Sequence, residues 1–211
     1  MPMGKIKAIL FDMDGVLIEA KDWHYDALNR ALGLFGMEIS RYDHLVTYDG
    51  LPTNRKLDML TMEQGLSKEL HPFIYEMKQQ YTMEIVHVRC KPRFYHEYAL
   101  STLKNENYNI AVCSNAIRNS VAVMLEKAAL SPYIDFFISN QDVSRPKPDP
   151  EMYITAMERL QLSPAQCMIV EDNEKGIQAA RASLAHVMEV DSVEDVNYQN
   201  IMNHIRGFEN E

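Results

Sequence analysis

The stretch AILFDMDG, residues 8–15, decides the fold class. Four apolar residues end in Asp12 and are followed by Asp14 and Gly15, the pattern of a strand buried on both faces that runs into a turn. Similar short apolar runs recur at 110–113, 134–138 and 168–170, with a weaker one at 187–190. Between them, residues 99–104, 121–129, 152–160 and 177–182 carry apolar side chains at i, i+3, i+4 spacing, as helices that bury one face do. Strands alternating with helices predict an α/β chain with a doubly wound parallel sheet.

Residues 21 to 86 interrupt that rhythm. Trp23, Ala27, Leu28, Ala31, Leu32 and Phe35 follow a helical period, and no comparable strand run occurs, so the segment reads as a helical insertion after the first strand. Ser163-Pro164 has the form of an N-cap followed by proline at the first position of a very short helix. The last residues, 207–211, are expected to be frayed. There is no internal repeat and no low-complexity tract.

Composition narrows the function classes. A chain of 211 residues with 46% apolar and 24% charged residues can bury a core without staples. Its 21 basic against 30 acidic residues give −9, which argues against a nucleic-acid or anionic-membrane partner, so any bound phosphate must be captured locally. The apolar runs fall far short of the roughly 20 residues that span a bilayer, and the N-terminal run is too short for a signal-peptide core, so a cytoplasmic protein is expected. Cys90, Cys113 and Cys167 form no CxxC pair and lack histidines at metal spacing, which disfavours both a disulfide scaffold and a zinc site. The 14 methionines fit adaptable core packing better than a binding surface.

Ligands of open α/β sheets bind outside the carboxyl ends of the strands. The polar residues at those ends are Asp12 and Asp14, Ser114 and Asn115, and Glu171 and Asp172, with Lys147 in SRPKPDP ahead of the helix at 152. Carboxylates from two strand ends make an oxygen-rich cage of the kind Mg²⁺ takes together with water and substrate phosphate. A hydroxyl and backbone N–H groups after Ser114 suit phosphate oxygens, and Lys147 would neutralise their charge. Taken singly, each has a plainer reading: Asp-Gly as a turn, Asn115 as a helix cap, Lys147 as a loop lysine, Glu171-Asp172 as an acidic helix start.

Together and in order, FDMDGVL, AVCSNA, RPKPDP and IVEDNEKGIQAA resemble the haloacid dehalogenase superfamily, in its β-phosphoglucomutase-like and phosphatase branch. The resemblance implies a Rossmann-like core from residues 1–19 and 88–211, with a mobile helical cap at 20–87. It implies Mg²⁺ and an aspartyl-phosphate, with Asp12 as nucleophile and Asp14 as general acid and base. Asp12, Asp14, Glu171 and Asp172 are the implied metal residues; Ser114, Asn115 and Lys147 the implied phosphate residues. In the cap, His24 sits where the mutase branch carries a hinge histidine, and Arg55 in YDGLPTNRKL resembles the loop that meets the far end of the substrate. Lys78 is a further substrate-binding candidate that a solvated helical lysine explains equally well. The expectation is a phosphatase acting on a small phosphorylated metabolite, foremost a sugar phosphate, with a phosphomutase and a non-catalytic binding protein as rivals; a dehalogenase is disfavoured by the second aspartate. The chain departs from the pattern at Glu19-Ala20, where relatives carry Asp-Thr or Asp-Ser and which bears on the hinge and not the chemistry, and at two structural positions, Cys90-Lys91-Pro92-Arg93 for Pro-Gly and Ser183-Leu184 for Ala-Gly.

Overall fold

The computed structural model describes residues 5–209. Its chain order is β1 (Ala8–Phe11), α1 (Lys21–Gly33), α2 (Arg41–Asp43), a π-helical turn (His44–Tyr48), α3 (Thr53–Gln64) and α4 (His71–Arg89). Then follow α5 (Phe94–Asn105), β2 (Asn109–Cys113), α6 (Arg118–Lys127), β3 (Phe136–Ile138), α7 (Glu151–Leu160), β4 (Cys167–Glu171), α8 (Glu174–Ala182), β5 (His186–Glu189) and α9 (Tyr198–Glu209). The chain divides into two compact units, residues 20–90 and the remainder.

The larger unit is an α/β core around a parallel sheet of order β3-β2-β1-β4-β5. All four residues of the central β1 are buried, as a strand covered on both faces requires. Because side chains alternate along a strand, Ala8, Leu10, Ala111, Cys113, Cys167 and Ile169 form one face, and this face packs against Met152, Tyr153, Ala156 and Met157 of α7 and Ala179 and Ala180 of α8. Helices α5 and α9 pack against each other, on β2 and β5 respectively. Ser163-Pro164 opens a single 3₁₀ turn, Pro164–Gln166, whose Gln166 side chain accepts from the Ser163 N–H.

The helical unit has its own core of Leu28, Leu32, Ile39, Tyr48, Leu57, Leu60 and Ile74. Helix α4 continues to Arg89 without a break, so the expected boundary after residue 87 lies inside a helix and the passage between units falls at 90/91. The C-terminus also differs from expectation. Residues 207–209 are helical, because α9 buries Ile201 and Ile205 and the Glu209 carboxylate accepts the Ile6 N–H at 3.3 Å. Asn210 and Glu211, likewise expected to fray, lie outside the described residues.

The departures from the family pattern acquire physical meaning. Arg93 donates to Glu19 at 2.6 Å, Glu194 at 2.8 Å and the Tyr95 hydroxyl at 2.7 Å, so the unusual arginine and glutamate are partners. Leu184 adopts φ 66°, the left-handed conformation that glycine takes without a steric penalty, and is left exposed. The Ser183 hydroxyl donates to Ala180 O at 2.6 Å and accepts the Ala185 N–H, satisfying that helix end. The three cysteines are buried, and among the described residues they form no disulfide. Among the described residues no helix is long and apolar enough to cross a membrane.

Candidate active site

Parallel pairing places the motif residues together. Phe11 is in register with Val112 on one side and Val170 on the other, so one residue further on Asp12 lies between the ends of β2 and β4. The Asp12 N–H donates to Val170 O at 3.0 Å, carrying the sheet ladder one step past β1. A tight turn follows: Gly15 takes φ 95° and donates to Ile18 O at 2.7 Å, and Leu17 and Ile18 both donate to Met13 O. Asp14, at the mouth of this turn, is half-buried.

Lys147 is the hub. Its side chain is 4% exposed, and its ammonium donates to Asp12 Oδ1 at 2.6 Å, Glu171 Oε1 at 2.6 Å and Cys113 O at 2.8 Å. All three N–H groups are therefore satisfied, as a buried charge demands. Burial disfavours the ammonium, but Asp12 and then Glu171 outweigh it and raise its pKa. The reading of Lys147 as a loop lysine does not describe this side chain.

Asn115 fixes the lysine from behind. Its Oδ1 accepts the Lys147 N–H and its Nδ2 donates to Lys147 O, both at 3.1 Å. Thus the side-chain amide of Asn115, a residue expected to meet phosphate, is engaged with the main chain of Lys147. Ser114 is buried, its N–H donating to Ile138 O at 2.9 Å and its Oγ accepting the Ala116 N–H at 3.1 Å, which leaves its hydroxyl proton available to another acceptor.

Asp12, Glu171 and Asp172 each offer an oxygen within 4.8 Å of the others. Burial pushes the Asp12 carboxyl well above the usual carboxylate range; Lys147 opposes this, while Glu171, Asp172 and Asp14 add to it. Three hard oxygen donors gathered around one partly compensated charge fit a small divalent cation such as Mg²⁺. Glu171 is 1% exposed, and besides Lys147 it receives the Tyr153 hydroxyl on Oε1 at 2.5 Å and the Asp172 N–H on Oε2 at 3.2 Å. Tyr153 was not among the expected site residues, because in sequence it is one more apolar position of the α7 stripe.

The three cap candidates lie in the helical unit. Lys78 is buried, and its Nζ donates to His24 Nδ1 at 3.3 Å, so it is not the solvated lysine its sequence context also allowed. Arg55 is exposed on α3, whereas the neighbouring Lys56 is buried. The same unit holds His44, whose ring meets that of Tyr25 at a 40° tilt with 4.9 Å between centroids. Burial, then the Lys56 charge, lowers His44 to a pKa of about 4.

A family model described as haloacid dehalogenase-like hydrolase matches residues 9–190. A phosphorylated carbohydrates phosphatase of Thermotoga maritima is 25% identical over 181 residues, covering 84% of this chain and 82% of the relative. A β-phosphoglucomutase of Bacillus subtilis is 25% identical over 186 residues, 84% and 80% of the two chains. The crystal structure of a β-phosphoglucomutase from Clostridium difficile shares the fold, with a TM-score of 0.83 at 22% identity over 98% of this chain and 100% of that one. A family model spanning most of the chain, over a sheet whose strand ends gather the motif residues, shows that this protein belongs to the haloacid dehalogenase-like hydrolases, as an enzyme of their phosphatase and phosphomutase branch.

Proposed function

We propose that the protein is a Mg²⁺-dependent phosphatase that hydrolyses a small phosphorylated metabolite, a sugar phosphate, through an aspartyl-phosphate. The observation that carries this reading is the Lys147 ammonium joining Asp12 and Glu171 at 2.6 Å inside a buried group of three carboxylates. Such a site keeps a carboxylate oriented, and the ammonium together with a divalent cation would supply the positive charge that receives a phosphate dianion. The likeness to the Thermotoga carbohydrate phosphatase supports the substrate class.

In this reading Asp12 attacks phosphorus, its carboxylate oxygen bonding to phosphorus as the bond to the leaving alkoxide breaks. Asp14 gives that alkoxide a proton, then takes one from the water that hydrolyses the acyl phosphate. Asp12, Asp14, Glu171 and Asp172 hold the Mg²⁺, which when bound screens the nucleophile from the phosphate's charge. Ser114 donates its hydroxyl to a phosphate oxygen, and Asn115 acts by holding Lys147 in place. Residues 20–87 serve as the cap, with His24, Arg55 and Lys78 as substrate-selecting residues.

The test is phosphate release from a panel of sugar phosphates and an aryl phosphate, with Mg²⁺ or EDTA, for wild type and Asp12→Asn. Release that needs the metal and disappears in the variant is expected; release that persists in Asp12→Asn overturns the nucleophile assignment. A second reading, a phosphomutase, is supported by the Bacillus relative and by the His24–Lys78 contact. Isomerisation of a hexose phosphate in the presence of a sugar bisphosphate, with little free phosphate, is its signature.

A further inference from the structure

We propose that Tyr153 is a positioning residue that sets which oxygen of Glu171 is left for the cation; this rests on the metal-site reading above. Glu171 follows Cys167 and Ile169 at two-residue steps along β4, so its side chain leaves the sheet on the face covered by α7 and α8. That direction brings its carboxylate against one residue of each helix. From α7, the fully buried Tyr153 donates its hydroxyl to Oε1 at 2.5 Å, the same oxygen that takes the Lys147 ammonium, and the Tyr153 ring lies under that ammonium at 4.7 Å from the centroid. From α8, Gly176 presents bare backbone, where any Cβ would overlap the carboxylate.

Two donors fill the lone pairs of Oε1. Among the described residues Oε2 takes only the Asp172 N–H, at 3.2 Å, and keeps a lone pair on the oxygen that neighbours the Asp172 main chain. A neutral hydroxyl is suited to this task because it orients a carboxylate without cancelling the negative charge that attracts a divalent cation. A second ammonium at the same place would bind Glu171 as firmly and reduce the site's negative charge by one. Gly176 bounds the slot from α8, so the carboxylate is held between that backbone and its two donors.

The experiment measures divalent-cation affinity directly, by calorimetric titration of the full chain with Mg²⁺ and by Mn²⁺ paramagnetic resonance, beside thermal melting in EDTA and phosphate release. Tyr153→Phe keeps the ring and loses one hydrogen bond to a charged acceptor, so cation affinity is expected to fall about tenfold or more. In EDTA the melting temperature should move by only a few degrees, and release at limiting metal should be partly recovered by raising Mg²⁺. Gly176→Ala, which displaces the same carboxylate from α8, should reproduce the affinity loss, and the double variant should lose little more than either alone. Unchanged cation affinity in Tyr153→Phe overturns the inference, as does a fall in melting temperature with unchanged affinity. Should Tyr153→Phe fail to fold, the Gly176→Ala titration decides alone, an unchanged affinity there overturning the slot. A wild-type chain that binds neither cation and releases no phosphate overturns the metal-site reading itself. That outcome is distinct from one in which wild type binds and Tyr153→Phe binds equally well.

Discussion

Replacing Lys147 with Met keeps most of the stem and removes one buried ammonium. The loss leaves Asp12 Oδ1 and Glu171 Oε1 without their shared cation and Cys113 O without its donor. Removing one partner of a buried ion pair costs about 3–5 kcal/mol, since the remaining charge stays buried and uncompensated. At about 2–4 °C per kcal/mol for a chain of this size, the melting temperature should fall by about 6–20 °C in EDTA. Two modifiers sharpen the expectation. A divalent cation restores part of the lost positive charge, so Mg²⁺ should narrow the gap between variant and wild type. The Asp12 carboxyl already titrates above its ordinary range, chiefly through burial, and loses the opposing Lys147 charge. A carboxyl whose folded pKa exceeds its unfolded value stabilises the native state at low pH, and that contribution is lost as pH rises through the folded value. The gap should therefore be smaller at pH 5 than at pH 8. Circular-dichroism melts at both pH values, with EDTA or Mg²⁺, test this; a variant that melts within about 2 °C of wild type throughout would refute the hub.

Two glycines in helices should respond with opposite sign. Alanine at Gly207, exposed on α9 with open space around it, should stabilise by about 0.5–1 kcal/mol. Alanine at Gly176 should instead destabilise by about 1–3 kcal/mol, because the Glu171 carboxylate is held by two donors and cannot yield; urea midpoints of the two variants check the contrast, and stabilisation of both would contradict it. Burial is also the main cause that brings His44 and His96 to about 4. Bases with depressed folded pKa contribute stability that is complete above the unfolded value of about 6.5 and lost as pH falls through about 4, on the order of 3 kcal/mol each. Urea unfolding at pH 7, 5 and 4 should show that slope, and His96→Gln, which retains a donor for Val193 O, should flatten it in the α/β unit. An unaltered slope would count against His96 as a titrating group.

Much of the candidate site is a property of strand ends and was legible as such. The apolar runs that announce buried parallel strands also say where each strand stops, and in a parallel sheet the stopping points share one edge. Asp12, Ser114, Glu171 and Asp172 could thus be grouped before any coordinate. Even the direction of Glu171 follows from the two-residue steps Cys167, Ile169, Glu171, although what waits on that face does not.

Other roles depended on contacts between segments far apart in the chain. Lys147 and Asp12 are separated by 135 residues, and nothing local distinguishes a hub ammonium from a loop lysine between prolines. Asn115 looked like a phosphate ligand or cap, and its side-chain amide also clasps the Lys147 main chain. Tyr153 looked like core, Lys78 equally like a solvated residue, and residues 207–209 of the tail expected to fray are helical. Arg93 and Glu19, each a departure when read alone, explain one another once the fold sets them 2.6 Å apart.

The sequence by itself determined the alternation of strands and helices, the helical insertion, and the carboxylates and lysine available for phosphate chemistry, because periodicity and strand ends are local properties. Only the tertiary structure decided which donor holds which oxygen. Burial strengthens a hydrogen bond and also penalises every group left without one, and both depend on neighbours that the chain brings together only on folding.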